Sequence, residues 1–160
     1  MATAENIRCA MNISTSPPFV ELDQSFDSRT AAISPFADQL MRFIRVCSGR
    51  FDTASESDDE IEIAIREALA NAVIHGNREN PEKKVYVTCH CNMDGEVQIT
   101  VRDEGQGFDY CAILDPTVPE RLLLTHGRGL HLMRALMDEV TFEENGTIVR
   151  MRKRRNTSIP

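Results

Sequence analysis

From residue 84 to residue 102 apolar and polar side chains alternate, and the runs before and after repeat at helical spacing. Val85, Val87, Cys89, Cys91 and Met93 alternate with polar residues, Asp94-Gly95 follows, and Val97, Ile99 and Val101 alternate again. A period of two places one apolar set on one strand face, and Asp-Gly between two such runs predicts a β-hairpin. Upstream, Phe36, Leu40, Phe43, Ile44 and Cys47 predict a helix, with Ser34 as N-cap, Pro35 at the first position and Gly49 at the stop. The acidic stretch TASESDDE (53–60) suits the start of a second helix, because carboxylates are favoured at the positive end of the helix dipole. That helix runs to about His75 and closes at Gly76, with Ile61, Ile65, Leu69 and Ala72 as its apolar seam.

Residues 104–126 read as loop, a third helix is expected over 128–137, and a second hairpin turns at Asn145-Gly146 between strands 140–144 and 147–152. Before residue 30 the pattern is weak. Ile7 to Ile13 suits a strand, Pro17-Pro18 breaks it, and PFVELDQSF is either a second extended piece or a loop. Helices, hairpin, helix, hairpin is an α+β order. It predicts an antiparallel or mixed sheet with helices on one face. The division expected is an extension over 1–30 with no assigned structure, one domain over 31–155, and a tail over 156–160.

Composition narrows the function classes. Of 160 residues, 41% are hydrophobic and 27% charged, ordinary proportions for a globular domain. A net charge of −7 opposes direct nucleic-acid binding, which needs a basic face to neutralise phosphates. The basic run RMRKRR (150–155) reads as a solvated strand end. No segment has the apolar length of a signal peptide or a membrane span, so a cytoplasmic protein is expected. The five cysteines (Cys9, Cys47, Cys89, Cys91 and Cys111) are odd in number and lack a paired framework, and reduced thiols are expected. Cys89-His90-Cys91 does not make a zinc site, since alternation turns His90 away from both thiols.

Three stretches carry candidate chemistry. In EALANAVIHGN (67–77) the polar residues Glu67, Asn71 and His75 recur every fourth position along an otherwise apolar helix. Such a line of polar groups needs partners, because an unpaired buried polar group costs about 1–3 kcal/mol. Two readings satisfy it: a hydrogen-bond network to nearby loops, or a ligand met by a carboxylate as proton acceptor and an amide oxygen facing a metal. In DEGQGFD (103–109), Asp103 stands at a strand end, able to accept from an exocyclic amine, and Gly105 and Gly107 admit close approach. In THGRGLHLM (125–133), Thr125, Gly127, Arg128 and Gly129 precede or open a helix whose free amides suit phosphate. Each of the last two also fits an ordinary loop or helix start.

In order and spacing the three motifs resemble the GHKL superfamily of ATPases, which includes gyrase and the histidine kinases: ExxxN on a helix, DxGxG after a strand, then GxG before a helix. NAVIHGN, DEGQGFD, GRGLHLMRALMDEV and the terminal GTIVRMRK are most similar to the bacterial anti-sigma factor serine kinase group, over roughly residues 34 to 153. The resemblance implies the Bergerat ATP-binding fold, a two-layer α/β sandwich with a mixed, mostly antiparallel sheet. It implies ATP and Mg²⁺ as cofactors. It assigns Glu67 as general base, Asn71 to Mg²⁺, Asp103 to the adenine amine, and Gly105 and Gly107 to the loop flanking the base. Thr125, Gly127, Arg128 and Gly129 fall on the lid over the phosphates, Thr147 beside adenine, and His75 behind Asn71 or the lid. The implied activity is phosphorylation of a serine on a STAS-type anti-anti-sigma protein by a kinase that also holds a sigma factor. Homodimerisation is common in the group. An ATP-binding sequestration module without turnover and a stand-alone histidine-kinase-like catalytic domain are the alternatives. The weakly periodic stretch upstream argues against the dimerisation helices of a full histidine kinase.

Overall fold

A computed structural model describes residues 7–10, 18–49, 55–109 and 125–154. In chain order the elements are β1 (Ile7–Ala10), β2 (Phe19–Asp27), α1 (Thr30–Cys47), α2 (Glu56–Ala70) and a π-turn (Asn71–Gly76). Then come β3 (Lys84–Cys91), β4 (Glu96–Arg102), α3 (Thr125–Leu136), β5 (Glu139–Glu143) and β6 (Ile148–Arg154). The strands form one sheet in the order β1-β2-β3-β4-β6-β5, and every pairing is antiparallel, where a mixed sheet had also been allowed. The expected α+β architecture is what forms, with both predicted hairpins in place.

Alternation explains the two layers. On β3 and β4 the apolar set Val85, Val87, Cys89, Cys91, Val97, Ile99 and Val101 is at most 1% exposed and joins one core with Leu40, Ile44, Ile61, Ile65, Leu69 and Leu130 from the helices. The opposite face is polar. There Arg150 pairs with Glu143 at 2.8 Å and Arg152 with Glu139 at 3.0 Å, so these residues of the basic run sit on a solvated strand among acidic neighbours. His90 likewise turns to Glu21, away from the two cysteines. PFVELDQSF proves extended: β2 pairs with β3 from Val20 opposite Cys91 to Asp27 opposite Lys84. The strand expected over 7–13 is described only as far as Ala10.

Helix starts differ from the sequence pattern. Helix α1 begins at Thr30, four residues before the expected cap, and Pro35 lies inside it. Pro35 removes one hydrogen bond, to the carbonyl of Ala31, but both residues are exposed in the first turns and water can serve that carbonyl. Helix α2 starts where the acidic run predicts. Ser55 and Asp58 form a reciprocal capping box, with Asp58 N–H donating to Ser55 Oγ and Ser55 N–H donating to Asp58 Oδ2. Helix α3 begins at Thr125, three residues earlier than expected, and its Leu130 and Met133 enter the core.

The cysteine expectation is corrected. Cys47 and Cys91 are joined as a disulfide, with Cα atoms 6.3 Å apart and a sequence separation of 44. Helix α1 packs its apolar face on the sheet, which brings its last turn over the end of β3, a meeting that no sequence spacing displays. Cys89 is free, and burial pushes its thiol pKa well up, so it stays protonated and inert. Cys111 lies outside the described residues. No helix among the described residues is long and apolar enough to cross a membrane.

Candidate functional site

Helix α2 does not run as a uniform α-helix to His75. After Ala70 it widens into the π-turn, closed where Asn77 N–H donates to the Ala72 carbonyl at 2.8 Å, five residues back. Glu67 therefore sits on the last α-turn, while Asn71 opens the π-turn and a half-buried His75 lies near its end. The Asn71 amide is the unusual group. Among the described residues its Nδ2 is buried without a hydrogen-bond partner, as are Arg45 Nε and His131 Nε2. Such an orphan costs about 1–3 kcal/mol and marks a place where an outside group would be welcome.

Asp103 follows the end of β4 and is fixed by the backbone around it. Its N–H donates to the Thr147 carbonyl at 3.0 Å, and its Oδ1 accepts from Gly105 N–H at 2.7 Å. Burial pushes the Asp103 pKa up to about 6; the Gly105 hydrogen bond and the nearby Lys83 charge oppose that rise without cancelling it. A carboxylate so desolvated gains from a new donor.

The 144–146 turn between β5 and β6 grips the same loop. Phe108 N–H donates to the Asn145 carbonyl at 2.8 Å, and Asn145 Nδ2 donates to the Gln106 carbonyl at 3.3 Å. Gly107, at φ 77°, has the left-handed backbone this contact requires, and a side chain there would strike the Asn145 carbonyl. Thr147 donates its hydroxyl to the Glu144 carbonyl at 2.9 Å.

Asn71, Asp103 and Thr147 meet on one cavity. Ala68, Ala72, Val101, Phe108, Met133, Phe142, Gly146 and Val149 complete its wall, and its empty volume is about 300 Å³ including the solvent at its mouth. The wall is apolar with a few convergent polar groups, and the enclosed space, about 20 Å³, has room for little more than a water, so a heterocycle enters only as the wall opens. Helix α3 covers one side. A Cβ at Gly129 would lie 2.6 Å from Glu67 Oε2 and 3.5 Å from Asn71 Nδ2, so a side chain there would displace the Glu67 carboxylate. The GxG motif thus lies within the helix, not before it: Gly127 and an exposed Arg128 occupy the first turn, where backbone N–H groups lack intrahelical acceptors. The side chain of Thr125 lies outside the described residues.

Residues singled out in the sequence are therefore brought together in two groups. Asn71, Asp103 and Thr147 share the cavity, while Glu67, Asn71 and Gly129 share the crossing of α2 and α3. Gly105 and Gly107 shape the loop beside Asp103. The pattern gave no separate weight to Asn77, Phe108, Phe142 or Asn145. Asn77 closes the NAVIHGN motif, and by sequence Asn145 signals only a hairpin turn.

A family model described as a histidine kinase-like ATPase domain matches residues 35–153. The chain is 44% identical over 96 residues to the anti-sigma F factor of Heyndrickxia coagulans, covering 56% of this chain and 64% of that protein. It is 35% identical over 130 residues to the serine-protein kinase RsbW of Staphylococcus epidermidis, covering 74% of this chain and 82% of that one. To the anti-sigma F factor of Bacillus subtilis it is 37% identical over 122 residues, 69% of this chain and 82% of the other. The chain belongs to the histidine kinase-like ATPase domain family.

Proposed function

We propose that this family member is an anti-sigma factor with ATP-dependent protein serine kinase activity, acting on a STAS-type anti-anti-sigma partner. The observation that carries it is the cavity: a buried unpaired amide (Asn71) and a desolvated carboxylate (Asp103) share it, and Glu67 lies one helical turn from Asn71. Relatives named as anti-sigma factors and as a serine-protein kinase support the chemistry.

In this reading adenine enters the apolar cavity and its amine donates to Asp103, with Thr147 assisting through water. Asn71 would hold Mg²⁺ through Oδ1, leaving its unpaired Nδ2 to donate to a phosphate oxygen, and the ion would supply charge neutralisation at the phosphates. The donor set fits an ion brought by the nucleotide. Among the described residues no group of three or more His, Cys, Asp or Glu is placed to hold a metal by itself. Mg²⁺ commonly keeps one or two protein ligands alongside phosphate and water. Arg128 and the first turn of α3, with Thr125 and Gly127, face the phosphates, and His75 orients Asn71 or the lid.

Glu67 accepts the proton of the partner's seryl hydroxyl as that oxygen attacks the γ-phosphorus. The bond from phosphorus to the β,γ-bridging oxygen breaks, and ADP leaves. Gly129 permits α3 to close against Glu67, which keeps the transfer away from water. The sigma factor is the second partner, held or released as the nucleotide changes, and homodimerisation is part of the same proposal. Transfer of label from radioactive ATP to a serine of a purified STAS-domain partner tests the activity. Label that is stable in mild acid separates serine phosphate from phosphohistidine, and binding of Mg-ATP with no label on any partner would leave only sequestration.

A further inference from the structure

Three consecutive backbone N–H groups fix the loop that presents Asp103, and each has its own acceptor. Asp103 N–H donates to the Thr147 carbonyl at 3.0 Å and Gly105 N–H to Asp103 Oδ1 at 2.7 Å. Between them, Glu104 N–H donates to Asn77 Oδ1 at 2.8 Å. Asn77 is 1% exposed, and its Nδ2 donates to the Lys84 carbonyl at 2.9 Å. Its own N–H closes the π-turn on the Ala72 carbonyl. One buried side chain thus ties the turn that begins at Asn71, the start of β3 and the residue next to Asp103. The residue before it, Gly76, abuts the Asp103 carboxylate so closely that any side chain there would overlap it.

We infer that Asn77 is a positioning residue for nucleotide-base selection: its amide sets where the Asp103 carboxylate stands relative to the π-turn. The inference rests on the nucleotide-site reading above. Asn77 touches no ligand in this scheme and acts through the main chain of Glu104. With Oδ1 of Asp103 engaged by Gly105, Oδ2 is the oxygen left for an amine on the base, and its place follows the loop that Asn77 pins. A site built around a hydrogen bond to an amine rejects a base carrying a carbonyl at that position, because donor and acceptor no longer match. Loss of the pin removes that discrimination more than it removes phosphate binding.

Calorimetric affinities for Mg-ATP and Mg-ITP, whose bases differ at the amine, test this in wild type, Asn77→Leu, Asn77→Asp and Asp103→Asn. Asn77→Leu is expected to weaken Mg-ATP by about tenfold and Mg-ITP by less than about twofold. Amide exchange at Glu104 should quicken in the ligand-free variant, and Asn77→Asp, which keeps the acceptor, should retain most of the preference for ATP. Equal weakening of both nucleotides, or no change in either, overturns the inference, as does failure of both Asn77 variants to fold. If Asp103→Asn abolishes the preference and Asn77→Leu does not, the inference alone fails. If Asp103→Asn leaves the preference intact, the nucleotide-site reading fails, and the inference with it.

Discussion

Gly129 of α3 stands against the carboxylate of Glu67 on α2, so near that a Cβ on the glycine would lie 2.6 Å from Oε2. The contact joins the third sequence motif to the first and makes the helix crossing part of the site. Gly129→Ala is expected to displace the Glu67 carboxylate from its place beside α3. Phosphoryl transfer should fall by about ten- to a hundredfold, the range for a misplacement near 1 Å. Folding should survive, since the glycine sits at the site and not in the centre of the core. Single-turnover rates at saturating Mg-ATP read this directly, and an unchanged rate would remove the crossing from the mechanism.

Replacing Asn71 separates stability from binding. The wild-type amide is buried and unpaired, so Asn71→Ala should leave the melting temperature of the free protein unchanged or higher. Mg-ATP is expected to raise the wild-type melting temperature by mass action, and most of that rise should vanish in the variant. Thermal melts with and without Mg-ATP check both halves.

Asp103 carries a pH signature. Burial raises its pKa to about 6 from an ordinary 3.8. Because the folded protein holds this proton more tightly than the unfolded chain, the contribution to stability is full below pH 3.8 and is lost as pH rises through 6. Adenine recognition, on the proposed reading, would run the other way, since the amine would donate to the ionised form. The ratio of Mg-ATP to Mg-ITP affinity, in which titration of the phosphates cancels, should decline as pH falls through about 6. Asp103→Asn should flatten the curve.

The Cys47–Cys91 link closes a loop across a sequence separation of 44. Reduction, or Cys47→Ser, should lower stability by about 2–4 kcal/mol through the restored freedom of the unfolded chain. Denaturant melts with and without reductant measure it.

Strands and motifs were legible because they depend on local order. Alternation from Val85 to Val101 marks a half-buried hairpin whatever it packs against, and ExxxN, DxGxG and GxG keep fixed spacing. What stayed hidden depends on contacts between distant segments. Thr30 starts α1 ahead of the stronger local signal at Ser34-Pro35, because the chain leaves β2 at Asp27 and turns into the helix within two residues. The π-turn replaces a regular helix end, with Asn77 closing it and then bonding Lys84 and Glu104. Phe108 and Asn145 meet only once the sheet sets β6 beside β4. Nothing in the sequence around Cys47 announces Cys91.

On the proposed mechanism Glu67 takes up a proton during transfer to a partner serine. Glu67→Gln keeps the shape of the side chain and removes the base. With Mg-ATP and a STAS-domain partner, its transfer rate should fall by about 10²–10⁴-fold, while its affinity for Mg-ATP stays at the wild-type value. A variant that binds Mg-ATP normally and labels the partner serine at the wild-type rate would contradict the account.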